Sequence, residues 1–427
     1  MDIQEIHKLF LQCKSVSIDS RKIVPNSFFV AIKGERYDAN TFTKEALIKG
    51  ASYVVIDDAQ YFIDDRTILV EDSLVTLQKL AQFHRNYLNI KIVALTGSNG
   101  KTTTKELIQV VLSKKYNTKA TVGNLNNHIG VPLTLLSFDS NTEIGIVEMG
   151  ANHQKEIEFL CELAQPDYGY ITNFGKAHLE GFGGVEGVIK GKSEMYTFLS
   201  EHDRMVFVNL EDTIQVEKTA CMNYYSFGIN KANANVVITG VKANPFVEIY
   251  FFGNRIVSHL IGMYNANNIN SAIAIGVFFG VAEVDIQKAI ESYVPENNRS
   301  QLLFKNTNEI ILDAYNANPS SMVVAIENFI QLDKTNKIVI LGDMFELGQE
   351  SFVEHKNIVD LLSKVSNIDC YFVGNDFYQH KNELAHCFFF ESFEELSDNL
   401  QQSKFEKRIL LIKGSRGMAL ERVLDFI

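Results

Sequence analysis

The stretch Ile92-Val93-Ala94-Leu95-Thr96-Gly97-Ser98-Asn99-Gly100-Lys101-Thr102-Thr103-Thr104-Lys105 decides the fold. Four apolar residues, Ile92 to Leu95, have the length and β-branched character of a buried strand. A glycine turn follows, and from Lys101 a helical pattern carries Leu107, Val110 and Val111 on one face. Strand, glycine turn, lysine and helix start together make a phosphate cradle. Gly97 and Gly100 let the amides around Ser98 and Asn99 approach oxygen atoms, the helix dipole favours anions, and Lys101 adds a full charge. Thr102 offers a hydroxyl where a nucleotide-bound Mg2+ needs a ligand, and Thr103 shares that first turn. The spacing departs from G-x-x-x-x-G-K-[ST]. Leu95 stands at the first glycine position, and Gly97 makes a shorter turn.

Working outward, residues up to about Leu88 mix short strands (Ser27 to Ile32, Tyr53 to Ile56) with helices near Thr43 to Lys49 and Asp72 to Tyr87. From Ile90 the pattern becomes strand-helix alternation, with strands at Ile92–Leu95, Ile144–Met149, Tyr168–Thr172 and Met205–Asn209. Such alternation predicts a mostly parallel, doubly wound sheet. Val236 to Leu260 alternates like antiparallel strands, and Asn265 to Gly280 reads as an apolar helix. Strands at Ile310–Asp313, Ile338–Leu341, Cys370–Val373 and Ile409–Ile412 predict a second nucleotide-fold-like sheet. The expected fold class is therefore α/β in three domains. They are a small N-terminal domain (1–88), a central P-loop-type ATPase domain with a mostly parallel sheet (89–297), and a C-terminal Rossmann-like domain (298–427).

Composition narrows the function. The 427 residues are 46% hydrophobic and 22% charged, as in ordinary globular domains. A net charge of −12 argues against a nucleic-acid partner, which normally meets a basic surface. Five scattered cysteines show no metal spacing, the start lacks a signal-peptide pattern, and the longest nearly apolar stretch, Ala272 to Ala282, is too short for a bilayer. The expectation is a cytoplasmic monomer without membrane insertion.

Other stretches fall where such sheets bind ligands. Glu148 ends a strand in Glu148-Met149-Gly150-Ala151-Asn152, facing the crevice from which a carboxylate can hold Mg2+. His178, in the glycine-rich Asn173 to Gly184, is by pattern either a metal ligand or a satisfied loop residue. Lys190 and Lys192 point different ways on a helix, and a solvated charged face explains both equally well. Asn124, Asn126 and Asn127 are either phosphate donors or turn residues, and Asn265, Asn267 and Asn268 either read an adenine edge or cap a helix. Arg299 stands at the expected domain junction. Asp313 to Asn316 ends another strand, and Lys413-Gly414-Ser415-Arg416-Gly417 repeats the basic glycine turn, as suits an anionic substrate.

Taken in order, these stretches resemble the Mur ligases over about Ser17 to Arg422. The similar segments are Asp19-Ser20-Arg21 with Pro25 to Gly34, then GSNGKTTTK, NLNNHIGVPLTLL, VEMGAN, AHLEGFGGVEGVIKGKSE, GMYNANNI, DAYNANPSSM, LGDMFELGQES and KGSRG. DAYNANPSSM and LGDMFELG resemble the branch that adds a dipeptide. The resemblance implies ATP-dependent joining of D-alanyl-D-alanine to UDP-N-acetylmuramoyl-tripeptide through an acyl phosphate, with two Mg2+ ions. It implies Lys101 on the β- and γ-phosphates among the ATP residues Gly97, Ser98, Asn99, Gly100, Thr102 and Thr103. Thr102 and Glu148 would hold the first Mg2+, and His178 the second. Lys192 would be carbamylated to give the second site an oxygen ligand. Asn268 and Asp313 would contact adenine and ribose, and Arg299 the phosphates. Ser20, Arg21 and Lys33 would serve the uridine end, and Asn127, Asn316, Lys413 and Arg416 the rest of the substrate. His128 and the glycine-poor Asn298-Arg299-Ser300 depart from the family pattern. A ligase for single amino acids or glutamate is an alternative that acceptor preference separates, and a nucleotide-dependent switch is one that partner-dependent nucleotide exchange without any amide product would mark.

Overall fold

The computed structural model describes residues 1–296, 298–402 and 405–427; the expected domain end at Asn297 lies outside them. Three sheets divide the chain. The first, β1 (Ser15–Ser17), β2 (Ser27–Val30), β3 (Ala51–Ile56) and β4 (Thr67–Leu69), is parallel in that order. Phe28, Phe29, Val54 and Val55 are fully buried, so both faces of this small sheet are covered.

The central sheet contains β5 (Lys91–Thr96), β6 (Thr118–Ala120), β7 (Ile144–Glu148), β8 (Tyr168–Ile171), β9 (Met205–Asn209), β10 (Tyr224–Ile229), β11 (Val236–Ala243), β12 (Phe246–Phe251) and β13 (Asn254–Ile261). Its order is β13-β12-β11-β10-β9-β8-β5-β7-β6. The strands from β6 to β11 run parallel, while β12 and β13 turn back as the antiparallel ribbon that the alternation predicts. After β5 the chain first builds β6 and β7 on one side, then β8 on the other. The C-terminal end of β5 is therefore a topological switch point, where such sheets open a ligand crevice.

The last sheet comprises β14 (Gln301–Lys305), β15 (Asn308–Asp313), β16 (Lys337–Gly342), β17 (Ile368–Val373), β18 (Cys387–Phe390) and β19 (Ile409–Lys413), ordered β14-β15-β19-β16-β17-β18. Only β14 is antiparallel to its neighbour. The predicted strands are all found. Those that periodicity missed, β1, β4, β6, β10, β14 and β18, are mostly three- or four-residue pieces, too short to show a period.

The helix Ser73–Leu88 joins the first two units. Its Leu77, Leu80 and Ala81 belong to the same buried cluster as Val131 and Leu135 of the helix Gly130–Leu136. Each such leucine removed from water is worth about 1.5–3 kcal/mol. The polar edge of the helix is equally engaged. Arg85 donates to the carbonyls of Ala164 (3.0 Å) and Gln165 (3.1 Å) and pairs with Asp167 (3.1 Å), while Gln78 and Gln82 reach the carbonyls of His128 and Glu162. Among the described residues no helix is long and apolar enough to cross a membrane.

Candidate active site

Strand β5 is buried over Ile92–Thr96 and delivers the glycine turn to the switch point. Gly97 has φ +144°, and a Cβ there would lie 2.0 Å from Thr172 Oγ1, so only glycine lets the loop pass β8. The turn is laced to the exit of β8. Ser98 N–H donates to the Asn173 carbonyl (3.1 Å), Asn99 N–H to Asn173 Oδ1 (3.1 Å), and Thr172 Oγ1 to the Asn99 carbonyl (2.6 Å). Gly100, at φ +77°, caps the helix Lys101–Leu112 without a side chain. The first-turn amides thus remain available to an anion. Lys101 Nζ donates to the Gly97 carbonyl at 2.7 Å, and burial pushes its pKa below the usual lysine range.

A cavity of about 1160 Å³ opens here between the central and C-terminal domains. From one side it is lined by Ser98 to Thr103, Asn127, Glu148, His178 and Asn268, and from the other by Arg299, Asp313, Asn316, Lys413 and Arg416. Most residues predicted for the nucleotide and peptide thus meet in one cleft. Gly97 lies under the loop rather than at the wall. Ser20, Arg21 and Lys33 are not brought to the cleft. They sit in the N-terminal domain, where Arg21 pairs with Asp19 (2.9 Å) and Lys33 with Asp38 (3.4 Å) near the surface.

Glu148 is 1% exposed at the end of β7. Its Oε1 accepts from Asn126 Nδ2 at 2.8 Å, but the buried Oε2 has no partner among the described residues. A buried carboxylate oxygen left open in a cavity that Thr102 also lines fits a hard divalent cation. Asn126 thus holds one oxygen of Glu148, a contact that the sequence left open.

The helix Val185–Glu201 resolves the lysine pair as its periodicity requires, with Lys190 exposed and Lys192 only 1% exposed. Lys192 Nζ donates to the Ala151 carbonyl (3.2 Å) and lies 5.1 Å from the Phe182 ring centre. Among the described residues it has no acidic partner. Burial, and next the charge of Lys101, push its pKa well below the lysine range. Burial that disfavours the charged form makes such an amine more nucleophilic, which is what carbamylation by CO2 requires.

Several predicted contacts are already engaged within the protein. Asn268 accepts from Thr104 Oγ1 (3.1 Å) and donates to Asn265 Oδ1 (2.8 Å), bracing the glycine loop from behind. Asp313 accepts from Ser300 N–H (3.0 Å) and from Lys413 Nζ (2.6 Å), so that lysine is paired rather than free. Asn127 Oδ1 caps the helix Gly130–Leu136 through the Ile129 and Gly130 amides. Asn316 Oδ1 accepts weakly from Arg416 N–H (3.4 Å), and Arg416 pairs with Glu421 (2.8 Å). The Arg299 guanidinium lies over the Tyr315 ring at 3.7 Å, with its buried Nε unpartnered among the described residues. Its neighbours Asn298 and Ser300 hold left-handed backbone (φ +57° and +51°), so Asn and Ser do here what glycine does elsewhere. His178, at φ +52°, lines the cavity and meets Glu346 of the C-terminal domain.

The comparisons agree over the whole chain. Residues 95–276 match the model of the Mur ligase middle domain, and 298–416 that of the Mur ligase glutamate ligase domain. The UDP-N-acetylmuramoyl-tripeptide–D-alanyl-D-alanine ligase of Bacillus subtilis is 32% identical over 96% of this chain and 92% of its own. That of Escherichia coli is 31% identical, with the same coverage. A crystal structure of MurF from Acinetobacter baumannii superposes with a TM-score of 0.85 at 29% identity, covering 99% and 97% of the two chains. MurF from Thermotoga maritima in complex with ADP gives 0.83 at 28% identity, covering 98% and 97%. With a shared three-domain α/β architecture and full-length relatives above 30% identity, this chain belongs to the Mur ligase family.

Proposed function

We propose that the chain is an ATP-dependent amide ligase that joins D-alanyl-D-alanine to UDP-N-acetylmuramoyl-tripeptide, giving the nucleotide-linked pentapeptide of peptidoglycan synthesis. One observation supports this most. A glycine loop and a buried carboxylate with an open oxygen line one interdomain cleft, and a buried amine without an acidic partner lies behind its wall, on the carbonyl of the lining residue Ala151. The full-length likeness to ligases of this name supports the choice of substrates.

In this reading residues 1–88 hold the uridine end through Ser20, Arg21 and Lys33. Residues 89–297, a P-loop-type ATPase domain, hold ATP, and 298–427, Rossmann-like, close on it and receive the dipeptide. Lys101 exchanges its loop carbonyls for the β- and γ-phosphates, and the open first-turn amides cradle the same oxygens. Thr102 and Glu148 would hold one Mg2+, with His178 and carbamylated Lys192 serving a second. Bound there, Mg2+ spreads the charge that otherwise sets carboxylate against triphosphate. Arg299, over the Tyr315 ring, faces the phosphates from the closing domain. The tripeptide carboxylate attacks the γ-phosphorus, the bond to the bridging β-phosphate oxygen breaks to release ADP, and the carboxylate becomes an acyl phosphate. The neutral dipeptide amine then adds to the acyl carbon and gives up a proton, and phosphate leaves as the amide forms.

The test measures phosphate release from ATP in the presence of the nucleotide-linked tripeptide. D-alanyl-D-alanine should release phosphate and yield a matching pentapeptide, while single amino acids should not. Release with a free amino acid would move the chain to a sibling ligase. Tight ATP binding with no amide product from any acceptor would point to a nucleotide-dependent switch.

A further inference from the structure

The segment Leu341-Gly342-Asp343-Met344-Phe345-Glu346-Leu347-Gly348 has no part in the chemistry above, although it leaves the end of β16 beside the cleft. Its backbone is firmly held. Asp343 accepts from the amides of Phe377 (2.9 Å) and Asp376 (3.0 Å), Met344 N–H donates to His355 Nε2 (2.9 Å), and Phe345 N–H to Ser415 Oγ (2.8 Å). His355 spends its other ring nitrogen on the Ser351 carbonyl (2.8 Å). The Asp343–His355–Asp376 group has the composition of a metal site, but its histidine has no lone pair left. It is scaffolding for the loop.

What the scaffold presents is Glu346. The residue stands at φ +62°, a conformation L residues avoid, and its carboxylate meets His178 Nδ1 across the domain boundary. Its carbonyl accepts from Glu180 N–H at 3.4 Å. His178 is itself left-handed at φ +52°, so both partners hold an unfavourable backbone where they touch. Gly348, at φ +54°, has no room for a Cβ without pressing on the Glu180 side chain at 3.2 Å. The pair Lys176–Glu354 (2.6 Å) closes the same seam.

An ionised carboxylate only accepts, so the partnered Nδ1 must carry the hydrogen, and in the neutral ring Nε2 then keeps its lone pair. A histidine serves a metal best in this state, with its far nitrogen donating to a carboxylate. We propose that Glu346 is the positioning residue of His178. Carried on the C-terminal domain, it selects the Nδ1–H tautomer and frees Nε2 for the second cation only when that domain is closed. The inference rests on His178 serving that cation.

The test uses full-length protein labelled with 15N-histidine and saturated with ATP analogue and Mg2+; loss of a signal in His178→Asn identifies the residue. Wild type should show the Nδ1–H form. Glu346→Gln, whose amide oxygen still accepts, should keep it. Glu346→Ala should shift to the Nε2–H form and weaken the second Mn2+ bound in place of Mg2+ by about ten-fold or more. An unchanged tautomer in Glu346→Ala, or equal loss in Glu346→Gln, overturns the proposal. If the ligase reading failed, no variant would form amide, yet the tautomer difference would persist.

Discussion

Replacing Gly100 by alanine tests the glycine loop on its own terms. At φ +77° an L residue costs about 1 kcal/mol. The new methyl would also lie 2.6 Å from Asn268 Oδ1, the atom held by Thr104 Oγ1. Moving Asn268 aside surrenders its bonds to Thr104 and Asn265, at about 1 kcal/mol each. The total is about 3 kcal/mol, or roughly two decades in an equilibrium constant. The loop can keep its shape and lose stability, or relax and lose the cradle, so the penalty divides between unfolding and nucleotide affinity. Urea unfolding and calorimetric titration with ATP and Mg2+, measured on the same protein, should therefore give losses that add to about 3 kcal/mol. Gly123→Ala is the control. Its φ is +57°, but nothing lies within 4 Å of the added methyl, so only about 1 kcal/mol should go. Equal combined losses in the two variants would refute the steric argument.

Other outcomes follow from the same geometry. Arg85→Met removes three bonds between the N-terminal and central domains but leaves Asp167 to the Ile92 amide and Arg204. Urea unfolding should show a loss of about 2–4 kcal/mol, and a loss below about 1 would contradict a firm junction. His7 is buried against His84, and its pKa is lowered from 6.5 to about 4, first by burial and then by that neighbour. The unfolded chain therefore takes up this proton first. The stability it contributes is present above pH 6.5 and drains as pH falls toward 4, so His7→Leu should flatten stability against pH in that window, and parallel slopes would count against it. Lys192→Ala should abolish ligation, and stripping CO2 from the buffer should slow the wild type until bicarbonate is restored. Near-normal turnover in the variant would remove the lysine from the mechanism.

Much of this was legible in the sequence because it is local. Ile92 to Lys105 carries its own strand, turn and helix signals, and most of the long buried strands announced themselves as apolar runs. The opposed faces of Lys190 and Lys192 followed from helical spacing. What stayed hidden depends on chain segments meeting across space. Nothing near Glu148 says that Asn126 occupies one of its oxygens and leaves the other open. Nothing in Asp313 or Lys413 alone reveals that they neutralise each other. Glu346 and His178 are 168 positions apart, and no local pattern joins them. The antiparallel β14 was also missed, since its residues are only half-buried and lack the contrast that marks a two-faced strand.

The seam along the helix Ser73–Leu88 has a further consequence. The Arg85 bonds and the packing along Leu77 and Leu80 hold the N-terminal and central domains together, and the C-terminal domain reaches the nucleotide loop through polar contacts such as Asn318 to Asn99 (2.7 Å). Under the proposed function the first two domains act as the fixed jaws of a caliper, with the uridine end clamped in one and the reacting phosphate in the other. Each peptide residue adds at most about 3.3–3.6 Å of reach. A precursor one residue short leaves its carboxylate outside attacking distance, and one residue too long must buckle. On that reading, substrates from the wrong stage of assembly are rejected by their length, without a contact that reads the missing side chain.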